Sequence, residues 1–327
     1  MAVIAAPVAA VRVAVRRALT ALSRDALVLV ACSGGADSLA LATATAFVAP
    51  RHGLRAGLVT VDHGLQPGSA ERGRAVARWA VSVGFDPVEV ATVTVAGRPG
   101  GPEAAARQAR YEALTEVART RGAAAVLLGH TRDEQAETVL LALARGAGPR
   151  GLAGMPAVRE VDGVTLLRPL LNVTREQTRA ACTALGLTPW DDPHNVDPAY
   201  ARSRVRNEVL PTLVKALGAG VVDNLARTAK LLAADTAALD AIARTALATA
   251  RVAPEGLAVA ALTDLPAAVR TRVLHAWSRE IGAPPGALSH RHVVALDALV
   301  TEWRGQGPVH LPGNIRVARQ AGNLVIA

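Results

Sequence analysis

The sequence predicts an α/β protein with a doubly wound parallel sheet, followed by a smaller, mostly helical C-terminal domain. Short apolar runs, such as 27–32 and 123–129, alternate with longer segments of helical periodicity. These runs are apolar throughout, as expected for strands of a parallel sheet that helices cover on both faces. From about Asn207 onward, one helical pattern follows another. A length of 327 residues also suits two domains.

The order of these signals predicts the individual elements. In the first domain, strands are expected at 27–32, 55–62, 87–95, 123–129 and 164–168. The expected helices of this domain are 1–22, a segment from 39, 69–83, 103–121, 133–145 and 174–186, the last beginning with a capping box at Thr174 and Gln177. In the second domain, helices are expected at 208–217, 221–251, 266–281 and 290–303, with short strands between 307 and 327. The boundary is placed near residue 216, which gives domains 1–216 and 217–327.

Composition indicates a polyanionic partner. The chain is 51% hydrophobic but only 2% aromatic, so its cores must consist of Ala, Val and Leu. The net charge is +9, and Lys215 and Lys230 are the only lysines. Nearly all the positive charge is therefore arginine, whose planar fork suits phosphate. A bias towards arginine codons on an ordinary soluble surface is the alternative explanation.

The cysteines and the N-terminus indicate a cytoplasmic protein. Cys32 and Cys182 form no CxxC motif and no disulfide framework. The N-terminal segment is unlike a signal peptide, because its arginines follow the apolar stretch instead of preceding it. No segment reaches the length of a membrane span. We expect a cytoplasmic location without membrane contact.

The six residues Ser33-Gly34-Gly35-Ala36-Asp37-Ser38 follow the first apolar run directly. The two glycines let the backbone approach an anion closely, and the helix that follows directs its positive end towards the same point. The lysine of ordinary P-loop ATPases is missing. Asp37 suits a polyanion site if it acts through Mg²⁺. An ordinary glycine turn into a helix is the alternative.

A second polar cluster follows the fourth predicted strand. His130 lies at the strand exit, and Asp133 and Glu137 lie four residues apart on one helix face. The two carboxylates form an acidic pocket suited to an ammonium group or Mg²⁺, and His130 could act as a base or as a phosphate donor. Carboxylates that merely stabilise a helix start are the alternative.

Two further motifs carry weaker signals. Asp62 and His63 end the second predicted strand, where they could lie beside a nucleotide or simply belong to a polar turn. In the pattern ExxARxxRY, Arg107 shares a helix face with Glu103 and Tyr111. Arg107 could point at phosphates or at RNA, or the pattern could mark a plain surface helix.

Five arginines lie in segments that suit an RNA backbone. Arg145 and Arg150 flank a glycine-rich stretch that could be a mobile substrate loop or a plain linker. Arg202, Arg204 and Arg206 follow a polar loop at 190–197. Because they occupy every second position, these three cannot share one helix face, but they could line a groove. A charged helix start is the alternative.

Taken in this order, the motifs resemble the tRNA(Ile)-lysidine synthetase family of the pyrophosphate-loop ATPase group. The resemblance covers residues 28–211 and is carried by these motifs: SGGADS at 33–38, DHGL at 62–65, ExxARxxRY at 103–111, GHTRDEQAET at 129–138, RGAGxxGLAGM at 145–155, RPLL at 168–171, and the stretch 192–211. Three positions depart from the family pattern: Thr131 for a second histidine, Glu134 for the second of two aspartates, and Ser203 for an asparagine.

The resemblance implies an ATP-dependent ligase that joins free L-lysine to the wobble cytidine of an isoleucine tRNA with a CAU anticodon. The cytidine is first adenylated with release of pyrophosphate, and the lysine amine then displaces AMP. The implied cofactors are ATP and Mg²⁺, and a homodimer is left open.

The resemblance also assigns roles to residues of this sequence. The implied catalytic residues are Asp37, His130 and Arg107, with Asp37 also holding the metal. The implied nucleotide contacts are Ser33, Gly34, Gly35, Ala36, Asp37, Ser38, Asp62 and His63. Lysine recognition falls to Asp133 and Glu137, and tRNA binding to Arg145, Arg150, Arg202 and Arg206.

Three other functions compete with this one. A tRNA thiolase would need catalytic cysteines or an iron–sulfur cluster, for which Cys32 and Cys182 are badly placed. An amide-forming synthetase that uses ammonia usually carries or recruits a glutaminase, and this sequence shows no nucleophilic cysteine at the N-terminus. A non-catalytic RNA-binding protein would explain the charge but not the loop together with Asp133 and Glu137.

Overall fold

The computed structural model describes residues 4–64, 68–95, 97, 101–192, 196–253, 255–284 and 286–327, without the side chains of 102 and 103. The motif residues Leu65 and 193–195 therefore lie outside the described residues, and so does the side chain of Glu103. The chain divides into two compact units, Met1–Leu231 and Leu232–Ala327. The boundary near 216 falls at the end of a helix and stays a prediction.

The first unit contains a six-stranded sheet in the order β3-β2-β1-β4-β6-β5. Its strands are β1 Leu27–Ala31, β2 Arg55–Asp62, β3 Val88–Thr92, β4 Ala125–Leu127, β5 Val158–Val161 and β6 Val164–Leu167. Neighbouring strands are parallel except for the antiparallel pair of β5 and β6. The prediction missed β5, because it is an edge strand whose first three residues are exposed.

Helices cover both faces of this sheet, which confirms the predicted doubly wound fold. The helices of this unit are α1 Ala6–Leu19, α2 Ala36–Val48, α3 Ser69–Ser82, α4 Pro102–Thr120, α5 Arg132–Ala144, α6 Gly148–Leu152, α7 Arg175–Ala184, α8 Ala201–Arg204 and α9 Leu210–Leu217, with a π-helical stretch at Val205–Val209. The next helix, α10 Val221–Ala250, belongs mostly to the second unit. Val28 and Val30 of β1 share a core with α1, α2 and α7, whereas Leu27 and Leu29 share another with α4. Because successive strand residues face opposite sides, one apolar run supplies both cores.

The direction in which successive strands are added to the sheet reverses between β1 and β4. From β1 the chain adds β2 and β3 on one side, and it then returns to place β4 on the other side of β1. The carboxyl ends of β1 and β4 therefore bring their loops to the same edge of the sheet, where ligands bind in open α/β folds. This arrangement places the glycine loop beside His130 and the start of α5.

The second unit combines helices with a small antiparallel sheet. Its elements after α10 are β7 Arg251–Val252, β8 Gly256–Ala258, α11 Val259–Thr263, α12 Ala267–Glu280, α13 His290–Thr301, β9 Val309–Leu311, β10 Ile315–Gln320 and β11 Asn323–Ile326. The sheet order is β7-β8-β11-β10-β9. Trp277 and Leu274 lie in its core, and an ion pair of 2.6 Å between Arg270 and Asp297 joins α12 to α13. The sequence predicted strands only in the tail, so β7 and β8 are additional.

Both cysteines are unpaired and buried. Within the described ranges, no single helix has the length and apolarity needed to cross a membrane. Only a sharply bent pair of helical stretches, Ala201–Leu217 and Val221–Ala250, satisfies both conditions together.

Candidate active site

The loop between β1 and α2 is held in shape by its own serine hydroxyl. Gly34 has a φ of 85°, a left-handed conformation that favours glycine. The Ser38 hydroxyl donates to the Gly35 carbonyl at 2.9 Å and accepts from the Ser33 amide at 3.2 Å. Ser38 is buried and braces the loop from inside, whereas Ser33 is exposed. In the described part of the chain, no side chain caps α2 at Gly35, so its first amides can bind an anion.

The exit of β4 packs directly against this loop. A Cβ atom at Gly129 would lie 3.2 Å from the backbone carbon and oxygen of Asp37 and from the Ser38 amide. Few real Cβ contacts are that close, and the neighbouring atoms are backbone, which cannot move aside. Gly129 therefore allows the acidic segment that follows β4 to lie beside the glycine loop.

Asp37 lies in the first turn of α2 and is largely buried. Its side chain is 24% exposed and accepts a short hydrogen bond from the Thr178 hydroxyl of α7. Burial raises the pKa of Asp37 to about 6, because it outweighs the Thr178 hydrogen bond and the positive charges of Arg175 and Arg206. The carboxylate is therefore ionised at neutral pH, at a cost to the fold that a bound cation would relieve.

This pKa shift predicts a pH dependence of stability. The folded chain binds the Asp37 proton more tightly than the unfolded chain, whose pKa is near 3.8. The free energy of unfolding should therefore fall as the pH rises from about 4 to about 6, by on the order of 2–3 kcal/mol. Asp37→Asn removes the titrating group and should lose this part of the slope. Denaturant unfolding of both proteins over this pH range checks the effect, and parallel curves would contradict it.

Glu137 is fully buried, and arginines occupy both of its oxygens. Its Oε1 accepts from Arg206 Nε at 2.8 Å and from Arg175 Nη2 at 3.1 Å, and its Oε2 accepts from Arg206 Nη2 at 3.2 Å. Asp133 Oδ2 accepts from the Arg175 backbone amide at 2.7 Å. The two carboxylates of the predicted acidic pocket therefore both contact Arg175, and guanidinium groups occupy the oxygens of Glu137. Their role in lysine recognition stays a prediction.

Arg175 connects this pocket to the glycine loop. Its Nε lies 3.9 Å from Asp37 Oδ2, while its Nη2 contacts Glu137. Arg175 begins α7 directly after the Thr174 cap, whose hydroxyl accepts from the Gln177 amide at 3.1 Å. The sequence predicted the cap but not the arginine, because an arginine in a first helical turn carries no signal of its own.

The side chains of the three arginines at 202, 204 and 206 point in two directions. Arg206 points inward to Glu137, and Arg202 Nη2 lies 3.5 Å from the Thr138 hydroxyl of α5. Arg204 Nη1 donates to the Pro198 carbonyl at 2.6 Å. Positions 202 and 206 share a face because they are four residues apart. The predicted roles of Arg202 and Arg206 in tRNA binding stay predictions.

His130 is buried among positive charges. Burial lowers its pKa well below the ordinary value, and Arg110, Arg168, Arg107 and Arg202 lower it further. Its imidazole is therefore neutral at neutral pH. Among the described residues, Nδ1 of His130 has no hydrogen-bond partner. A buried nitrogen without a partner suits a ligand atom better than a purely structural role.

Tyr111 and Arg168 belong to the group of side chains around His130. The Tyr111 hydroxyl lies 3.5 Å from Arg107 Nη2 and 3.4 Å from Arg168 Nη2. Arg168 is 3% exposed, and its Nη1 donates to the Pro156 carbonyl at 2.7 Å. The ExxARxxRY and RPLL motifs thus meet in space. Arg107 lies at this meeting point, and its catalytic role stays a prediction.

The end of β2 contributes Asp62 and His63. Asp62 accepts from the Gly64 amide at 2.9 Å, and this bond, followed by one from Ser69, lowers the pKa of its carboxyl group. Burial lowers the pKa of His63, and its Nδ1 has no partner within the described ranges. Their predicted contact with the nucleotide stays a prediction.

The glycine-rich stretch after α5 carries Arg145 and Arg150 on the surface. Both are exposed, and Arg150 lies in the short helix α6. The far end of the stretch is fixed, since the Gln135 amide group donates to the Met155 carbonyl at 3.0 Å and accepts from its amide at 2.7 Å. The two arginines are therefore presented on a segment anchored to α5.

Trp190 and Arg72 also border the loop. The Trp190 amide donates to the Gly34 carbonyl at 3.0 Å, and the Arg72 guanidinium lies 3.5 Å from the centre of the Trp190 ring. The sequence pattern places Trp190 in a polar loop and predicts no role for it. Its sequence distance from the glycine loop explains why no local pattern could reveal the contact.

Comparisons with known proteins identify the family of this chain. A family model described as PP-loop domain matches residues 10–213, and one described as TilS substrate binding domain matches residues 257–325. The tRNA(Ile)-lysidine synthase of Salinispora tropica is 72% identical over 324 residues, which cover 99% of this chain and 97% of that protein. The chain belongs to the tRNA(Ile)-lysidine synthase family. The tRNA(Ile)-lysidine synthase of Thermobifida fusca is 59% identical over 321 residues, covering 98% of each chain.

Among solved structures, the U34-tRNA thiolase NcsA from Methanococcus maripaludis, with its [4Fe-4S] cluster, has a TM-score of 0.57 at 19% identity. The match covers 69% of this chain and 80% of that chain, and it shows the fold alone. The predicted membership of the tRNA(Ile)-lysidine synthase family, with its pyrophosphate-loop fold and its ligase class, is confirmed. The PP-loop match also supports the predicted use of ATP.

Proposed function

We propose that this protein joins free L-lysine to the wobble cytidine of an isoleucine tRNA with a CAU anticodon. The cytidine oxygen attacks the α-phosphate of ATP, and pyrophosphate leaves. The lysine ε-amine then attacks the adenylated carbon, and AMP leaves with the oxygen. Adenylation is needed because an amide-like oxygen is a poor leaving group, whereas AMP is a good one. The 72% identity to the synthase of Salinispora tropica, over 99% of this chain, supports this reaction.

The contact of Arg175 with both carboxylates is the observation that carries the proposal. One guanidinium group lies 3.9 Å from Asp37 in the glycine loop and 3.1 Å from Glu137 in the acidic pocket. A nucleotide held by the loop and an amine held by the pocket would therefore be neighbours. The two half-reactions require this proximity, because the amine attacks the carbon that bears the adenylate.

The loop supports binding of the ATP phosphates with Mg²⁺. The part of the chain that the structure describes holds no group of three or more His, Cys, Asp or Glu side chains arranged for a metal. A single carboxylate suits Mg²⁺, which proteins bind through one or two carboxylates together with water and substrate phosphates. Asp37 would hold the ion, which would neutralise phosphate charge. Ser33, the two glycines and the first amides of α2 would orient the phosphates.

The pocket at Glu137 supports binding of the lysine ammonium group. Arg206 and Arg175 balance the negative charge of Glu137 and occupy its oxygens. A lysine ammonium group that binds Glu137 would therefore replace one of these two guanidinium groups. The arginine released would then be available to the phosphates. The amine must lose a proton before it attacks. The neutral imidazole of His130 offers an unpartnered nitrogen for this proton, although its lowered pKa makes it a weak base.

The exposed Arg145 and Arg150 suit the tRNA backbone, on a segment that Gln135 anchors beside the pocket. Single-stranded bases of a loop can leave their stack and enter a pocket, which an anticodon base requires. We assign the protein to the cytoplasm, where tRNA is modified and where its two buried thiols would stay reduced.

Incorporation of labelled lysine into an isoleucine tRNA transcript with a CAU anticodon tests this function. The reaction contains ATP and Mg²⁺, and a methionine tRNA with the same anticodon serves as control. We expect label on the isoleucine tRNA alone, together with pyrophosphate. Pyrophosphate release without lysine label would retain the ATP chemistry and refute lysine as the nucleophile.

A further inference from the structure

The carbonyl of Gly34 is the point at which a distant segment holds the glycine loop. It accepts a hydrogen bond of 3.0 Å from the Trp190 amide. A Cβ atom at Gly35 would lie 3.7 Å from the backbone oxygen of Trp190, so the chain at Trp190 passes beside both glycines. Because Trp190 follows α7 and the loop precedes α2, this contact fixes the loop from outside it.

The hydrogen bond from Trp190 sets the direction of the Gly35 amide. In a trans peptide group, the carbonyl oxygen and the amide hydrogen of the next residue point in opposite directions. Since the Gly34 carbonyl points to Trp190, the Gly35 N–H points away from it, towards the exposed Ser33. The Ser33 hydroxyl lies 3.4 Å from the Gly35 nitrogen, which is a long hydrogen bond. A phosphate oxygen on this open side of the loop would be a better partner for the amide.

The remaining contacts of the loop leave this peptide group unrestrained. The Ser38 hydroxyl holds the Ser33 amide and the Gly35 carbonyl, but neither atom belongs to the peptide group between Gly34 and Gly35. Gly34 has a φ of 85°, and glycine adopts several such conformations at similar cost. The contact with Trp190 therefore selects one orientation of this group.

The ring of Trp190 is held in turn by Arg72 of α3. The Arg72 guanidinium lies 3.5 Å from the ring centre, and a cation over an indole ring is attracted to it. Hydrogen bonds from Gly64 and Ser69 lower the pKa of Asp62, and the charge of Arg72 lowers it further. Arg72 therefore neighbours both the indole ring and a carboxylate, which restricts the movement of its guanidinium group.

We propose that Trp190 is a positioning residue for ATP. Its ring, stacked on Arg72, holds the backbone amide that turns the Gly35 N–H towards a phosphate group. The role rests on the proposed binding of the ATP phosphates by the glycine loop. Neither side chain needs to touch the nucleotide. The motif at 33–38 lacks this restraint, because both side chains come from segments outside the motif.

The test compares W190L and R72Q with the control R78Q, each in the full-length protein. W190L keeps an apolar side chain but offers no ring to the guanidinium, and R72Q removes the cation. R78Q removes the same charge from an exposed position of the same helix, where Arg78 pairs with Glu71. The Kd of ATP is measured by calorimetry without tRNA. The KM for ATP and the kcat of pyrophosphate release are measured with saturating CAU-anticodon isoleucine tRNA, and the Tm of each variant is recorded.

We expect W190L and R72Q to raise the Kd and the KM for ATP at least about fivefold relative to R78Q, the loss of one partly buried cation–π contact. The kcat should change less, because an amide that binds the phosphate throughout the reaction affects mainly KM. W190F restores a ring and should recover much of the affinity. The double variant W190L/R72Q should bind ATP about as weakly as either single variant, since both changes remove the same contact.

Variants that match R78Q in ATP affinity would overturn the proposal, whatever their Tm. Losses that add up in the double variant would also overturn it, and so would a loss in R72Q without one in W190L, because Arg72 would then act without Trp190. If W190L does not fold, W190M takes its place in the comparison. A wild-type protein that binds ATP but releases no pyrophosphate with the tRNA would refute the proposed function, while the Kd values would still test the role of Trp190.

Discussion

Asp37→Asn is expected to abolish pyrophosphate release while the chain stays folded. Asparagine keeps the shape and can still accept the hydrogen bond from Thr178, but it cannot supply the charge that Mg²⁺ and its phosphates require. The expected loss in rate is at least about 100-fold, by analogy with the removal of other charge-stabilising groups. The measurement is ATP-dependent pyrophosphate release with tRNA present and lysine absent.

A measurement of the free energy of unfolding distinguishes this loss of pyrophosphate release from a folding defect. Burial opposes the ionised form of Asp37, so its neutral replacement should be at least as stable as the wild type at neutral pH. Asp235→Asn, the same change at an exposed position of α10, serves as the control and should retain full activity. An Asp37→Asn variant that releases pyrophosphate at the normal rate would refute the metal role of this carboxylate.

Glu137→Gln is expected to impair the use of lysine and to weaken the fold. The side chain is fully buried, and three hydrogen bonds from two arginines end on its oxygens. Removing its charge leaves the largely buried guanidinium groups of Arg175 and Arg206 without their main partner. Breaking a buried ion pair in this way costs about 3 kcal/mol. The pocket would also lose its attraction for the ammonium group of lysine.

The two half-reactions distinguish lysine recognition from support of the nucleotide site. We expect pyrophosphate release to be largely retained in Glu137→Gln, while the KM for lysine rises at least about tenfold, the loss that one charged hydrogen bond causes. Glu208→Gln, at an exposed position of the neighbouring π-helical stretch, is the matched control. If instead pyrophosphate release fails and the KM for lysine is unchanged, Glu137 serves to hold Arg175 and Arg206 for the ATP phosphates.

The sequence was informative wherever function or fold depends on neighbours along the chain. The apolar runs predicted the parallel strands, since burial on both faces requires apolar residues throughout. The edge strand β5 escaped because its exposed residues resemble a loop. The glycine loop and the pair Asp133 and Glu137 were recognisable because turn geometry and helical spacing are local properties. The capping box at Thr174 is of the same kind, and the structure contains it.

Contacts between distant segments needed the tertiary structure. Arg175 lies 138 positions after Asp37, yet it contacts both Asp37 and Glu137. Two tertiary features cause this: α7, which begins at Arg175, packs against α2, and β1 and β4 are neighbours in the sheet. The inward direction of Arg206 was likewise hidden, since charge along a segment does not show which way a side chain points.

Signals along the chain were enough to predict the class of fold, a glycine loop suited to phosphate and the family. Which charges compensate one another became clear only from the folded arrangement, as at Glu137, whose oxygens accept hydrogen bonds from Arg175 and Arg206. The physical reason is that propensity and periodicity act over a few residues along the chain, whereas electrostatic interactions act through space and depend on burial.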